Sequence, residues 1–427
     1  MVFSGEQSFV IKETSMQSPS LLKPKDGDAV LLVGTMKGAF LLSSDRARKR
    51  WNVSGPHFPG HVVYALAYDG RAGRRRIWFS STHWAFGTTL RASDDFGKNW
   101  TNPENHPIKF PEDTGQALKQ IWQIRPGLES EPDHLYCGVE PAALFESRDA
   151  GQNWSLVRGL FDHPHRPSWN PGNGGLCLHT VLPDPANPKR VLIAISAAGV
   201  YRTDDGGKTW QVKNKGIRAD FLPDKYPEFG QCVHKVARHP AGPLFLQNHG
   251  GLYRSDDEGD SWQDIAHGVP SDFGFPMVVH PHEPETAYIV PLEGEMRAMP
   301  DAKARVYRTR NGGASWEPLG RGLPQKGAYE TVLRDAMGAD SLDPAGIYFG
   351  TRSGKVFGSP NDGGSWQLIV EGLPAITCVR AAVVGDGAAS ARTRAAKPAK
   401  RSATKKASRK SSGKTSKKSG RVARRRK

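Results

Sequence analysis

From residue 28 to residue 384 the chain repeats one rhythm: a short apolar or alternating run, a turn rich in Gly, Asn, Asp or Pro, then another run. Residues 62–68, 76–81 and 88–93 are three such runs in succession, and a fourth begins at Asn99. Runs of this kind between turn residues predict half-buried or buried β-strands. With 47 Gly and 32 Pro among 427 residues, the punctuation is too frequent for a helical protein. No apolar run approaches the ~18 residues of a membrane span, so no membrane partner is expected.

The strands are grouped by a repeat. Six segments share Ser/Thr-x-Asp/Asn-x-Gly-x-x-Trp, centred on Asp95, Asp149, Asp205, Asp257, Asn311 and Asn361, which lie 54, 56, 52, 54 and 50 residues apart. A degraded seventh copy, Ser43-x-Asp45 followed by Trp51, precedes them. The side-chain oxygen of Asp or Asn suits the N–H groups of a tight turn, Gly supplies its backbone conformation, and Trp packs back on the sheet. Four strands per period and seven periods predict an all-β, seven-bladed β-propeller over residues 28–384. The first period lacks an innermost strand and one strand, residues 376–384, is left over at the end. That strand is expected to complete the first blade beside residues 29–33 and close the ring.

The repeat resembles the Asp-box, or BNR repeat, of sialidases, sortilin-type receptors and photosystem assembly factors, and the chain is similar to bacterial proteins described as BNR-repeat glycosyl hydrolases. The resemblance implies a scaffold role for the six boxes; function has to be sought elsewhere. In a propeller the inter-blade loops share one face and the boxes occupy the other. Three inter-blade loops are long, residues 102–117, 159–175 and 214–230, and residues 293–304 form an insertion on the same face. Long loops on a rigid scaffold are where binding concentrates.

Aligning the innermost strands sets His179, His234 and Glu330 at one level, with Tyr64 and Trp122 from other blades. Residues equivalent in a ring converge on its axis, and polar groups there must be paired or at work. His179, His234 and Glu330 are therefore the candidates for general acid–base chemistry, assisted by Tyr64 and Glu140. Trp122 and Trp169 are the candidate stacking platform, and His61, Lys119, Asn248, His249 and Arg352 the further ligand-binding residues. The same polar ring could be a hydrogen-bonded plug or hold a divalent ion; no cofactor and no metal are assigned, because no zinc, nucleotide or serine-hydrolase motif is present.

Sialidase activity itself is not carried over. The family has six blades and an Arg-Ile-Pro motif, whereas this chain has seven periods and only a scrambled Ile124-Arg125-Pro126. The expectation is a cytoplasmic, glycosidase-like propeller that binds a small polar, saccharide-type ligand on its loop face and hydrolyses or eliminates it. The alternative is a non-catalytic interaction or assembly propeller with a protein partner on that face. A monomer is expected.

Charge changes the picture at one place. Of 59 basic residues 17 lie in residues 391–427 with no acidic residue among them, leaving 42 basic against 43 acidic in the body. Residues 385–427, rich in Lys, Arg, Ala and Ser, read as a disordered tail, and residues 1–27 as a disordered N-terminal segment. Such a tail suits non-specific DNA or RNA binding through phosphates. The polar residues 1–28 lack the order of a signal peptide. Cys137, Cys177, Cys232 and Cys378 are dispersed in apolar runs and read as buried thiols of a reducing compartment.

Overall fold

The computed structural model describes residues 19–101 and 107–386. Among these the strands form seven antiparallel sheets, six of four strands and one of three. Each is a blade of one propeller. In blades 3 to 7 the chain runs outward through consecutive strands, starting from Gln120–Pro126, Cys177–Asp184, Val233–Arg238, Gly274–Val279 and Met337–Ala339. Blade 1 is closed by the last strand: Ile376–Val383 lies innermost against Ala29–Thr35, with Val379 opposite Val33 and Val383 opposite Ala29.

Among the described residues blade 2 has three strands. Its strands are Leu66–Asp69, Arg76–His83 and Gly87–Ser93. Beyond Ser93 the pairing resumes at Thr101, whose N–H donates to the Ala92 carbonyl and whose hydroxyl takes the Ala92 N–H, both at 2.8 Å; the expected continuation of the fourth strand into residues 102–106 lies outside the described residues. Elsewhere the outermost strands are short, as in Ser155–Leu156 and Gln211–Val212, which limits the edge open to pairing.

The boxes show why the repeat specifies the fold. In the third, Thr203 Oγ1 accepts the Gly207 N–H at 2.9 Å and donates to Asp205 Oδ1 at 2.8 Å, while that oxygen also accepts the Thr209 N–H at 3.0 Å. These donors hold the carboxyls of Asp149 and Asp205 down to about 2. The box glycines all have φ between +86° and +97°, which L-residues with a Cβ rarely adopt. A Cβ would also strike the preceding blade, at Leu192 from Gly259, Ile265 from Gly313 and Leu319 from Gly363. Two of the box tryptophans reach the same way, Trp262 and Trp316 donating to the Lys213 and Ile265 carbonyls at 2.8 Å, whereas Trp154 and Trp210 donate within their own turns to the Gly151 and Gly207 carbonyls. Each box is thus an inter-blade clamp as well as a turn.

The degraded first copy does this differently. It leans on blade 7, where the Arg48 guanidinium pairs with Asp340 at 3.1 Å and donates to the Pro344 and Pro360 carbonyls at 3.0 Å. Trp51 meets Tyr348 edge-on. The expected N-terminal segment begins to pack before residue 28: Leu22 is buried with Val30, Leu32 and Leu66, and Gly27 N–H donates to the Val384 carbonyl. The apolar side chain of Leu22 thus moves the start of the ordered body upstream. Residues 1–18 and 387–427, including the basic tail, lie outside the described residues.

Candidate functional site

Each of five innermost pairings carries a β-bulge near the same height: at Trp122, at His179, at His234, between Gly274 and Met277, and opposite Gly34/Thr35 beside Thr377. A bulge places one unpaired residue out of the ladder and re-aims its side chain. Most of these side chains staple a blade to its neighbour. His179 Nε2–H donates to the Val233 carbonyl at 2.9 Å and His234 Nδ1–H to the Gly274 carbonyl at 2.6 Å, while the Thr377 hydroxyl donates to the Val63 carbonyl. Gln123 Oε1, one residue beyond its bulge, accepts the Val181 N–H at 2.7 Å.

Two of the candidate catalytic groups are used up by this scaffold. His179 is fully buried, its other nitrogen meets Thr180 Oγ1 at 3.0 Å, and burial holds its pKa well below the usual imidazole value. It cannot exchange a proton with a ligand. Glu330 does not share its level. Between the pairings of Ala336 with Gly350 and Thr331 with Arg352, the inner strand of blade 7 has residues 332–335 where its partner has one, and Glu330 lies beyond this wide loop. Its carboxylate accepts from Ser353 Oγ at 2.6 Å and Lys355 Nζ at 2.9 Å. Burial raises its pKa, but these donors outweigh burial and keep it ionised. Its expected place in the cavity is taken by Arg334 and Asp335.

Asp335 anchors the channel. It accepts from Lys235 Nζ and from Arg380 Nη2, each at 2.6 Å, joining blades 5, 7 and 1. The two cations hold its carboxyl far below the ordinary range, against the pull of burial. Burial, with Arg380 nearby, lowers the Lys235 ammonium to about 8 despite the pair.

Above this triad opens a cavity of about 1110 Å³ on the loop face. Three of the predicted long segments wall it: residues 168–174, 221–230 in part, and Met296 with Arg297. Tyr64 and Trp122, with rings 5.0 Å apart, form one side, and Trp122 Nε1–H donates to Glu140 Oε2 at 3.1 Å. Burial raises the Tyr64 phenol above its usual value. Phe273 and Phe275 form the opposite side, and the Arg334 guanidinium sits 5.2 Å from the Trp122 ring. Arg297, Arg334 and Arg352 line the cavity against one acidic residue, Asp335, which is already paired. Arg352 Nη1 is buried and has no hydrogen-bond partner among the described residues.

Of the predicted site residues, the cavity collects Tyr64, Trp122, His234, His249 and Arg352, with Glu140 behind Trp122. Trp169 is no platform: it is buried in the core between blades 3 and 4 and donates to the Tyr201 hydroxyl at 2.8 Å. Asn248 is buried and holds the Arg218 carbonyl at 2.7 Å. His61 bonds Ser81 Oγ at 2.6 Å and packs on His83, and Lys119 is exposed on the loop before Trp122. The cavity also contains groups that sequence reasoning passed over: Arg334, Arg297, the Phe273/Phe275 pair and Cys232. Cys232 is half-buried and faces the cavity, unlike the other three thiols, which are buried as expected. Its pairing with His234 two positions on was visible as a Cys-x-His spacing at a strand start.

His234 is not poised for proton transfer. Burial, reinforced by Arg334, lowers its pKa to about 3, so at neutral pH it is an uncharged imidazole with Nδ1–H fixed on the Gly274 carbonyl. A thiolate–imidazolium pair with Cys232 is therefore disfavoured.

Comparison with known proteins agrees with this architecture. A family profile for the BNR/Asp-box repeat matches residues 201–212. The chain is similar to a probable oligoxyloglucan-reducing end-specific xyloglucanase of Neosartorya fischeri, 24% identical over 41% of this chain and 19% of that enzyme. It is also similar to the oligoxyloglucan-reducing end-specific xyloglucanase of Emericella nidulans, 23% identical over 44% of this chain and 26% of that enzyme. The chain thus spans a quarter or less of these relatives in one case and little more in the other. Among solved structures, the GH74 xyloglucanase of Xanthomonas campestris superposes with a TM-score of 0.54 at 17% identity, covering 82% of this chain and 53% of that one. The chain is a seven-bladed Asp-box propeller with glycosyl hydrolase-like relatives.

Proposed function

We propose that this protein binds a small acidic, saccharide-type ligand in the cavity over its channel. The observation that carries the reading is Arg352, whose buried Nη1 has no partner among the described residues, in a cavity with two further arginines and an indole–phenol wall. A sugar ring stacks its apolar face on Trp122 and Tyr64, and a carboxylate on it satisfies guanidinium groups better than a neutral hydroxyl can. Named glycan-active enzymes among the sequence relatives support the ligand class. Tyr64 and Glu140 are the groups at hand for hydrolysis or elimination of such a ligand, in place of His179 and Glu330.

Titration of tryptophan fluorescence with matched acidic and neutral oligosaccharides tests this. Acidic members are expected to bind, and Arg352→Gln to weaken them by about 10–100-fold, the equivalent of one charged hydrogen bond. Equal affinity for neutral and acidic members, or an Arg352→Gln protein that binds as well as the parent, would sink the proposal.

A second reading, a protein-interaction propeller, has one feature in its favour. The hairpin tip of blade 2 exposes Trp84 by 92% and Phe86 by 71%, and both rings pack on His83. If Trp84→Ala removes a captured partner while no saccharide is bound by the parent protein, that reading replaces the first.

We further propose that residues 391–427, with 17 basic side chains, tether the propeller to nucleic acid. Binding is expected to be indifferent to sequence and to fall steeply as salt rises from 50 to 200 mM. In gel shifts a chain ending at Asp386 should bind duplex DNA far more weakly than the full chain; equal affinity would refute the tether.

A further inference from the structure

Cys232, His234 and His249 stand together on the wall of the cavity, and their ligand-capable atoms all lie within 4.8 Å of one another. We propose that they form a binding site for a borderline-soft transition-metal ion of the zinc class, with a fourth coordination position open to the cavity.

The spacing fits. A tetrahedral ion with a metal–sulfur bond of ~2.3 Å and a metal–nitrogen bond of ~2.05 Å sets sulfur and nitrogen about 3.6 Å apart. Cys232 Sγ and His234 Nε2 are 3.7 Å apart. His249 is exposed, and rotation of its side chain closes the remaining gap of roughly an ångström. Its backbone is already in place, since His249 N–H donates to the Cys232 carbonyl at 3.0 Å.

The tautomer fits as well. His234 is 3% exposed, and its Nδ1–H is committed to the Gly274 carbonyl at 2.6 Å. Its Nε2 lone pair therefore points out of the strand toward the Cys232 thiol, its hydrogen-bond partner among the described residues. An imidazole held through one nitrogen by a carbonyl and presenting the other is the outer-shell arrangement of metal-bound histidine. Phe273 and Phe275 pack on the His234 ring at 5.5 and 4.7 Å, limiting water on that side.

The donor set selects the ion. One thiolate and two imidazoles suit zinc and its neighbours, whereas magnesium and calcium require oxygen ligands. Arg297 and Arg334 line the same cavity and would repel a cation held by charge alone; the bond to sulfur has to supply the affinity. Binding replaces the thiol proton with the metal and releases it to solvent. Three protein ligands and an open fourth place describe a reactive rather than a structural site, and the arginines favour an anionic fourth ligand there.

The site is independent of the saccharide reading, and the probe is the metal alone. Full-length, tag-free, reduced protein is titrated with Co²⁺, then with Zn²⁺. One equivalent of Co²⁺ is expected to bind, with a thiolate-to-cobalt band in the near ultraviolet and intense visible bands of tetrahedral cobalt, and Zn²⁺ should displace it. Cys232→Ser should abolish the near-ultraviolet band, and His249→Ala should keep it while weakening Zn²⁺ by at least about tenfold. Both side chains are accessible, so both variants should keep the parental melting temperature, which separates a lost site from a lost fold. No saturable binding at one equivalent in the parent, or binding unchanged in both variants, overturns the proposal.

Discussion

A chain that stops at Pro374 is expected to lose cooperative thermal unfolding altogether, whereas one that stops at Asp386 keeps the full-length melting temperature. Ile376–Val383 is the innermost strand of blade 1, and Ile376, Cys378 and Val379 are fully buried. Its loss would expose the cores that blade 1 shares with blades 2 and 7. It would also remove contacts to both neighbours: Thr377 to the Val63 carbonyl, Val379 N–H to the Asp335 carbonyl at 2.7 Å, and Arg380 to the Asp335 carboxylate. Each blade is held by packing against its two neighbours, so a ring that is not shut leaves the blades at the gap supported on one side only and the defect passes from blade to blade. Circular dichroism melts of the two truncations decide the matter. A single sharp transition at the parental temperature in the shorter chain would show that the ring closes without this strand.

The second large effect is expected at Asp335. Asp335→Asn removes the carboxylate that Lys235 and Arg380 share and leaves both buried basic groups without their counter-charge in the channel. Breaking one partner of a buried ion pair costs about 3–5 kcal/mol, and in a body of this size that lowers Tm by about 5 °C. The pH dependence has a definite sign. The carboxyl is depressed in the folded state, so its contribution is fully present above its unfolded value near ~4 and is lost as pH falls below that. The gap in Tm between parent and variant should therefore be wide at pH 7 and shrink on acidification below about pH 4. A gap that stays constant to low pH would show that packing rather than charge is lost, and no gap at pH 7 would show that the triad is dispensable.

What could be read from the residues beforehand has a common character. Ser/Thr, Asp/Asn, Gly and Trp act within eight consecutive positions: a hydroxyl and a carboxylate take up turn N–H groups, and the glycine adopts a φ near +90°. Local chemistry of this kind survives in the one-dimensional string, so the blade count and the closing strand followed from spacing. The loop face followed as well, and three of its long segments do wall the cavity. The level of Trp122, His179 and His234 was also legible, because all three sit at equivalent positions of their innermost strands, each at a bulge.

The contents of the site were not legible in the same way. Placing Glu330 beside the histidines assumed an unbroken alternation, and the four-residue loop 332–335 defeats it, bringing Arg334 and Asp335 forward instead. His179 looks like a reactive imidazole until the Val233 carbonyl, 54 positions on, is seen to accept a hydrogen bond from its Nε2–H. Trp169 looks like a platform until Tyr201 covers its indole N–H. By itself the sequence determined the repeat, the number of blades, the means of closure and the separation of a charged tail from a neutral body. All of these depend on neighbours along the chain or on composition. Only the tertiary structure decided which polar side chains are spent on stapling blades, which, Arg352, Cys232 and His249 among them, are left facing the cavity, and that His234 does both. That division is made by hydrogen bonds between blades some fifty residues apart, where a shift of one residue in one strand exchanges a partner for open space.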